Sequence, residues 1–179
     1  MPQEYRIVYE GGEAEIVEKK SRFIARVKKT ETVEEAEAFI NECKKKYWDA
    51  RHNCSAFVIG KNNELTRCSD DGEPGGTAGM PILNVLESNG LNKVFAAVIR
   101  YFGGIKLGAG GLVRAYTNSV AGALKLTEIT ELKKEYKIMI EFDYSNVNKI
   151  NYILQDYKIT YTDFKVSISE CLYNENKGN

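Results

Sequence analysis

The sequence predicts an α+β protein of two unequal domains, and three observations carry that prediction. Up to about residue 127, stretches of strand-like alternation are interleaved with segments of helical spacing. Glu128 to Lys134 is then charged and without a clear period, which marks a boundary. Beyond it the pattern restarts as β-α-β-β, the opening of a split βαβ unit without its closing helix and strand. The domains expected are therefore a two-layer N-terminal one over residues 1–130 and a shortened C-terminal one over 135–179. A chain of 179 residues that is 43% apolar is long enough for one packed core and a small appendage.

Residues 4–29 alternate apolar and polar side chains around Gly11-Gly12, as in Ile7/Tyr9 and Phe23/Ala25/Val27, which predicts a hairpin-like start with one solvated face. Thr32 and Glu35 form a capping box, after which Val33, Ala36, Ile40, Cys43 and Tyr47 recur at helical spacing up to Trp48. Cys54–Ile59 and Glu64–Cys68, separated by the turn Gly60-Lys61-Asn62-Asn63, read as a strand pair. Pro81 suits a first helical turn, and ILNVLES continues that helix to Asn89-Gly90. Lys93–Phe102 is the most strand-like stretch. A glycine loop at 103–111 follows, and then Leu112, Val113, Tyr116, Val120, Ala123 and Leu124 mark a helix to about Thr127. In the smaller domain the expected elements are a strand at Tyr136–Phe142, a helix opened by Ser145, and strands at Ile159–Phe164 and Lys165–Ser169.

Lys plus Arg and Asp plus Glu are equal at 25 each, so no global field draws this chain onto a polyanion, and any such site has to be a local patch. The N-terminus lacks the basic start, apolar stretch and small-residue cleavage site of a leader, and no run approaches the length of a membrane span. The reading is cytoplasmic, with no membrane partner. Cys43, Cys54, Cys68 and Cys171 form no Cys-x-x-Cys pair and the chain has one histidine, so neither a zinc cage nor a disulfide framework is indicated.

Two glycine-rich segments concentrate the functional chemistry. Arg67 to Pro81 holds Asp70, Asp71 and Glu73 with Gly75, Gly76 and Thr77 just before a helix. Glycine allows close backbone approach, so amides there could face one ligand, while the acids could hold Mg²⁺; turn and capping chemistry is the stronger reading of the acids. Arg100 to Tyr116 sets Arg100, Lys106 and Arg114 with Tyr101 and Phe102 around Gly103, Gly104, Gly108, Gly110 and Gly111, between a strand and a helix. It is no Walker loop, lacking Gly-Lys-Ser/Thr, and no dinucleotide fingerprint, because Val113 stands where the last glycine belongs. What remains is an anion site in which these cations, with Arg67, pair phosphates and one of Tyr101 or Phe102 stacks a base. His52 reads as a structural hydrogen-bonding group more than a general base. Cys68 beside two aspartates reads as a poor nucleophile.

These segments resemble the IMPACT family, in its bacterial YigZ-type branch, through KSRFIA (20–25), HNCSAFVIG (52–60), SDDGEPGGTAGMPIL (69–83) and VIRYFGGIKLGAGGLVRAY (98–116). The resemblance implies an N-terminal domain with the fold of the second domain of a small-subunit ribosomal protein. It also implies a ferredoxin-like C-terminal domain, partial here. It further implies association with RNA or the ribosome without an established reaction, and the reading favoured is a translation-associated regulatory protein, more a binding protein than an enzyme, with no cofactor or resident metal. Two other functions compete: a hydrolase or transferase using the acidic loop with Mg²⁺, and a protein-interaction module. The oligomeric state is not legible.

Overall fold

The computed structural model describes residues 5–60, 62–132 and 139–156. Contacts divide the chain into two compact units, Met1–Glu135 and Tyr136–Asn179. In the first, the order is β1 (Tyr5–Glu10), β2 (Glu13–Glu18), β3 (Ser21–Lys29), α1 (Val33–Lys46), β4 (His52–Ile59), β5 (Leu65–Ser69), α2 (Gly79–Ser88), β6 (Leu91–Asn92), β7 (Val94–Tyr101), α3 (Ala109–Lys125) and β8 (Glu128–Leu132). Five strands form an antiparallel sheet in the order β2-β3-β7-β4-β5. A smaller sheet runs β6-β1-β8, with β1 parallel to β6 and antiparallel to β8.

The α+β class holds, with three layers in place of two. The central strand β7 is buried from Val94 to Arg100, so both of its faces must be covered. Val94, Ala96 and Val98 point with Phe23, Ala25, Cys54 and Ala56 into one core, which α2 and α3 close with Ile82, Leu86, Tyr116 and Val120. Phe95, Ala97 and Ile99 point the other way, with Ile24 and Phe57, against Ala36, Phe39 and Cys43 of α1. Burying one side chain the size of Phe39 there contributes about 1.5–3 kcal/mol. Thr32 caps α1 by accepting the Glu35 amide at 3.2 Å, and the Glu35 carboxylate reaches back to the Glu31 amide at 2.8 Å.

The first hairpin is displaced from its expected place. β1 and β2 flank Gly11-Gly12 but belong to different sheets. The hairpin is β2–β3, paired from Glu13↔Arg26 to Glu18↔Ser21 and closed by Lys19-Lys20, both in the left-handed region at φ 46° and 65°. Two positive φ values in a two-residue loop match the right-handed twist of the flanking strands. Gly11 and Gly12 serve a close crossing instead: a Cβ on Gly12 would lie 2.6 Å from the Ala123 carbonyl oxygen.

The charged stretch expected to be a boundary is β8, whose Glu128–Leu132 pairs along β1. Its exposure explains the missing apolar signal. The second helix begins two residues before Pro81, at Gly79, and the third takes Gly110 and Gly111 into its first turn, so the second loop is shorter than expected. In the second unit, residues 139–142 are not strand. A 3-10 turn at Tyr144–Asn146 precedes α4 (Val147–Leu154), with no side-chain cap from Ser145 or Asn146. The strands expected at 159–164 and 165–169 lie outside the described residues.

Candidate functional site

One end of the five-stranded sheet gathers the chemistry-bearing residues. β5 and β7 finish there, β3 and β4 begin there because they run antiparallel to β7, and α2 and α3 start from the two glycine loops. The first loop winds around Asp70. Its carboxylate accepts the amides of Gly76 at 2.8 Å, Ala78 at 3.0 Å and Gly79 at 2.8 Å, and so caps α2, which has no cap from its adjacent residue. Burial works against that charge, but the Gly76, Gly79 and Ala78 amides together outweigh it and hold the Asp70 pKa below its ordinary value. Gly79 has to lack a side chain, since a Cβ would sit 2.8 Å from the Ser69 nitrogen.

Asp71 turns outward from the same winding at φ 42°. Its carboxylate accepts the Asn53 amide at 2.7 Å and meets Lys44 of α1 at 3.3 Å. Its carbonyl oxygen lies 2.9 Å from His52 Nδ1. A carbonyl has no proton to give, so the hydrogen of neutral His52 resides on Nδ1, leaving Nε2 to face Glu73 Oε2 at 4.0 Å.

Glu73 joins the first loop to β7 and α3, the elements on either side of the second loop. Its Oε1 accepts Arg100 Nη1 at 2.7 Å and the Tyr116 hydroxyl at 2.8 Å. The Arg100 guanidinium lies between the Phe23 and Phe102 rings, 5.5 Å from each centroid, with Nη2 3.5 Å from Ser21 Oγ. Its Nε is buried without a hydrogen-bond partner among the described residues. Beneath, Cys54 Sγ lies 3.0 Å from the Asp70 carbonyl oxygen and 3.3 Å from the Tyr116 oxygen, its single proton serving one at a time. Burial pushes the Cys54 thiol up to about 12, against the hydrogen bond shared with Tyr116, with Glu73 adding to the rise. The Tyr116 phenol is also raised, first by burial and then by Cys54 and Glu73. Neither Cys54 nor Tyr116 is therefore poised to ionise as a nucleophile near neutrality.

The second loop is held by Ser21, whose Oγ accepts the Gly103 amide at 3.1 Å. A Cβ on Gly103 would collide with the Lys20 carbonyl group, so glycine is required where this loop crosses the β2–β3 turn. Gly104 and Gly108 follow at φ 85° and 73°, and Gly108 delivers the chain into α3 with no side-chain cap on its first amides. Exposed Lys106 and Arg114 lie just before and just after that uncapped end in the chain, and Phe102, at the loop's opening, is 46% exposed. A cleft of about 110 Å³ between β2 and α3 is lined by Lys19, Glu18, Leu107, Gly111, Arg114 and Asn118.

The predicted cations therefore do not form one track. Arg100 is a correction: it lies inside, bound to Glu73, and presents no charge to a phosphate. Arg67 is another, because it pairs opposite Phe57 and lines a depression with Ile40 and Phe95 on the α1 side of the sheet. Lys106 and Arg114 are each exposed. Of the two aromatics, Phe102 is available, whereas Tyr101 turns to the α1 side, donates to Asp49 Oδ1 at 2.8 Å and carries Arg22 over its ring. The acidic loop is likewise saturated: Asp70, Asp71 and Glu73 each serve different protein donors. Gly75 and Gly76 are exposed, and Thr77 is buried, its hydroxyl donating to the Pro74 carbonyl at 2.6 Å. Among the described residues, no three His, Cys, Asp or Glu side chains converge as a metal site. Sequence reasoning missed Lys19 and Lys20. Their signal was the doubled lysine whose second member opens KSRFIA, masked by the louder glycine pair upstream.

The fold and the site together define an α+β domain whose first glycine-rich loop is locked to the central strand by a buried Glu–Arg pair. Residues 19–124 match the Impact N-terminal domain. IMPACT family member YvyE of Bacillus subtilis (strain 168) is 47% identical over 156 residues, spanning 87% of this chain and 72% of that protein. IMPACT family member YigZ of Escherichia coli (strain K12) is 44% identical over 130 residues, 69% of this chain and 63% of that one. A solved crystal structure of a hypothetical protein superposes with a TM-score of 0.70 at 35% identity, across 92% of this chain and 82% of that chain. The chain belongs to the IMPACT family. Among the described residues, no helix is long and apolar enough to cross a membrane.

Proposed function

We propose that this protein is a translation-associated regulatory factor that binds RNA through the surface over the start of α3. One observation carries the reading: Lys19 and Arg114 line one cleft beside the start of α3, the Lys20 backbone lies against Gly103, and exposed Phe102 and Lys106 belong to the loop that runs from that contact to an uncapped helix N-terminus. Cations there neutralise phosphates, the first α3 amides add donors of the same sense, and Phe102 offers a stacking face backed by the Arg100 guanidinium. Glu18 in the same cleft sets a limit on affinity for any isolated anion. The translation half of the proposal rests on family membership.

A metal-dependent hydrolase or transferase draws less support. Its carboxylates are committed to backbone amides, Lys44, Arg100 and Tyr116. The clefts beside Arg67 and Arg114, of about 180 and 110 Å³, are lined by none of the carboxylates of Asp70, Asp71 and Glu73.

Fluorescence anisotropy with end-labelled single-stranded RNA across a salt series tests the proposal. If the four cations each neutralise one phosphate, the log–log slope is about −3. Absence of binding at low salt overturns it. Co-sedimentation with ribosomes tests the translation half, and a chain that stays wholly in the supernatant removes that part.

A further inference from the structure

The segment Lys44 to Arg51, KKKYWDAR, is left unused by the surface described above, yet it combines four cations, one acid and the sole tryptophan of the chain. Trp48 is 82% exposed. It does not hang on a loose loop. Tyr47 ends α1 with its amide bonded to the Cys43 carbonyl at 2.9 Å, and the Ala50 amide returns to the Tyr47 carbonyl at 3.0 Å, so Trp48 and Asp49 sit at the apex of a closed turn. Asp49 accepts the Tyr101 hydroxyl at 2.8 Å, tying that apex to the last residue of β7, next to Phe102. Lys44 meets Asp71, tying the end of α1 to the acidic loop. The turn thus belongs to the same end of the sheet as both glycine loops.

The charges around the indole are unevenly committed. Lys44 is engaged by Asp71, and Lys46 by Glu13 and the Tyr47 ring. Lys45 and Arg51 are exposed. A protein-docking tryptophan works from a desolvated pocket within an apolar surround. Trp48 is flanked in sequence by lysines, Asp49 and Arg51, which is the setting of a ring that stacks on a base whose backbone is held by neighbouring cations.

We infer that Trp48, with Lys45 and Arg51 beside it, is a second stacking element for unpaired bases, extending the RNA footprint from Phe102 to the α1 side of the sheet end. The inference rests on the RNA reading above and adds to it a single-stranded ligand and a second anchor. An A-form duplex, with its bases already stacked on one another, has no free face to offer an exposed indole.

The sole tryptophan supplies its own readout. A short oligouridylate added at low salt quenches the intrinsic fluorescence, with the same apparent affinity as anisotropy of the labelled RNA. Trp48→Ala weakens binding by about tenfold while leaving the salt slope unchanged, and Trp48→Phe retains most of the affinity. Because the side chain is exposed, neither variant endangers folding. RNA that binds by anisotropy without quenching, and binds Trp48→Ala as well as wild type, overturns this inference and leaves the RNA reading standing. Absence of any RNA binding overturns both. A Trp48→Ala chain that loses ribosome co-sedimentation but keeps its oligouridylate affinity makes Trp48 a protein-docking residue, and the inference falls.

Discussion

The carboxylate of Glu73 and the guanidinium of Arg100 meet at 2.7 Å inside the protein, with 3% and 6% of their side chains exposed. Glu73 lies in the first glycine loop and Arg100 in β7, three residues before the second loop opens at Gly103, so the ion pair holds the first loop to the end of the sheet. Tyr116 adds a hydroxyl from α3, and His52 closes the far side of the carboxylate. The pair acts as a lock on the scaffold rather than as a contact for ligand.

Breaking that lock from one side is expected to be costly. Glu73→Gln leaves the Arg100 charge buried without its counterion, a loss of about 3–5 kcal/mol that appears as a lower urea midpoint at unchanged m-value. Combining it with Arg100→Met recovers part of the loss. A single variant within about 0.5 kcal/mol of wild type would show that solvent reaches the pair.

Asp70 makes stability depend on acidity in a defined direction. Its folded pKa lies below the ordinary 3.8, so its contribution is full above that value and is lost as pH falls from 3.8 through the folded pKa. Denaturant melts from about pH 5 downward are expected to show a fall that Asp70→Asn flattens. At neutral pH, Asp70→Ala removes the surrogate cap of α2 and costs about 0.5–2 kcal/mol.

Gly103→Ala places a methyl group against the Lys20 carbonyl, and backbone cannot rotate away as a side chain would. The expected cost is about 1–3 kcal/mol in thermal unfolding. RNA affinity drops as well, because the second loop and the Lys19-Lys20 turn separate. Gly104→Ala meets open space and is limited to the strain of φ 85°.

Arg114 and Arg67 should behave differently in RNA titrations although both are exposed arginines. Arg114→Ala reduces the salt slope by about 0.7, the share of one phosphate on a single strand, whereas Arg67→Ala, on the α1 side of β5, leaves the slope unchanged. Equal effects from the two would remove the proposed footprint. Slopes taken from anisotropy titrations at several salt concentrations decide it.

Much of the fold was legible because its signals are local. Thr32 and Glu35 announce the start of α1, and Leu112, Tyr116 and Val120 share the buried side of α3. The first hairpin was misplaced because Lys19-Lys20 adopts positive φ without glycine or asparagine, held there by six β2–β3 residue pairs. β8 was missed because an exposed strand carries no apolar alternation. In the site, the phase of β7 already set Arg100 with Ala96 and Val98, facing the core. An arginine beside glycines was instead read as a free cation.

By itself the sequence determined where most of the chain is regular and where glycine lets backbone approach backbone, since these depend on a residue and its near neighbours. Which charges are buried was decided only by the tertiary structure. Glu73 and Arg100 are 27 positions apart, and Lys20 meets Gly103 across a much longer span. Whether an arginine is a ligand contact or a core lock depends on which carboxylate the fold brings to it and on how much water remains around both, and no local pattern carries either.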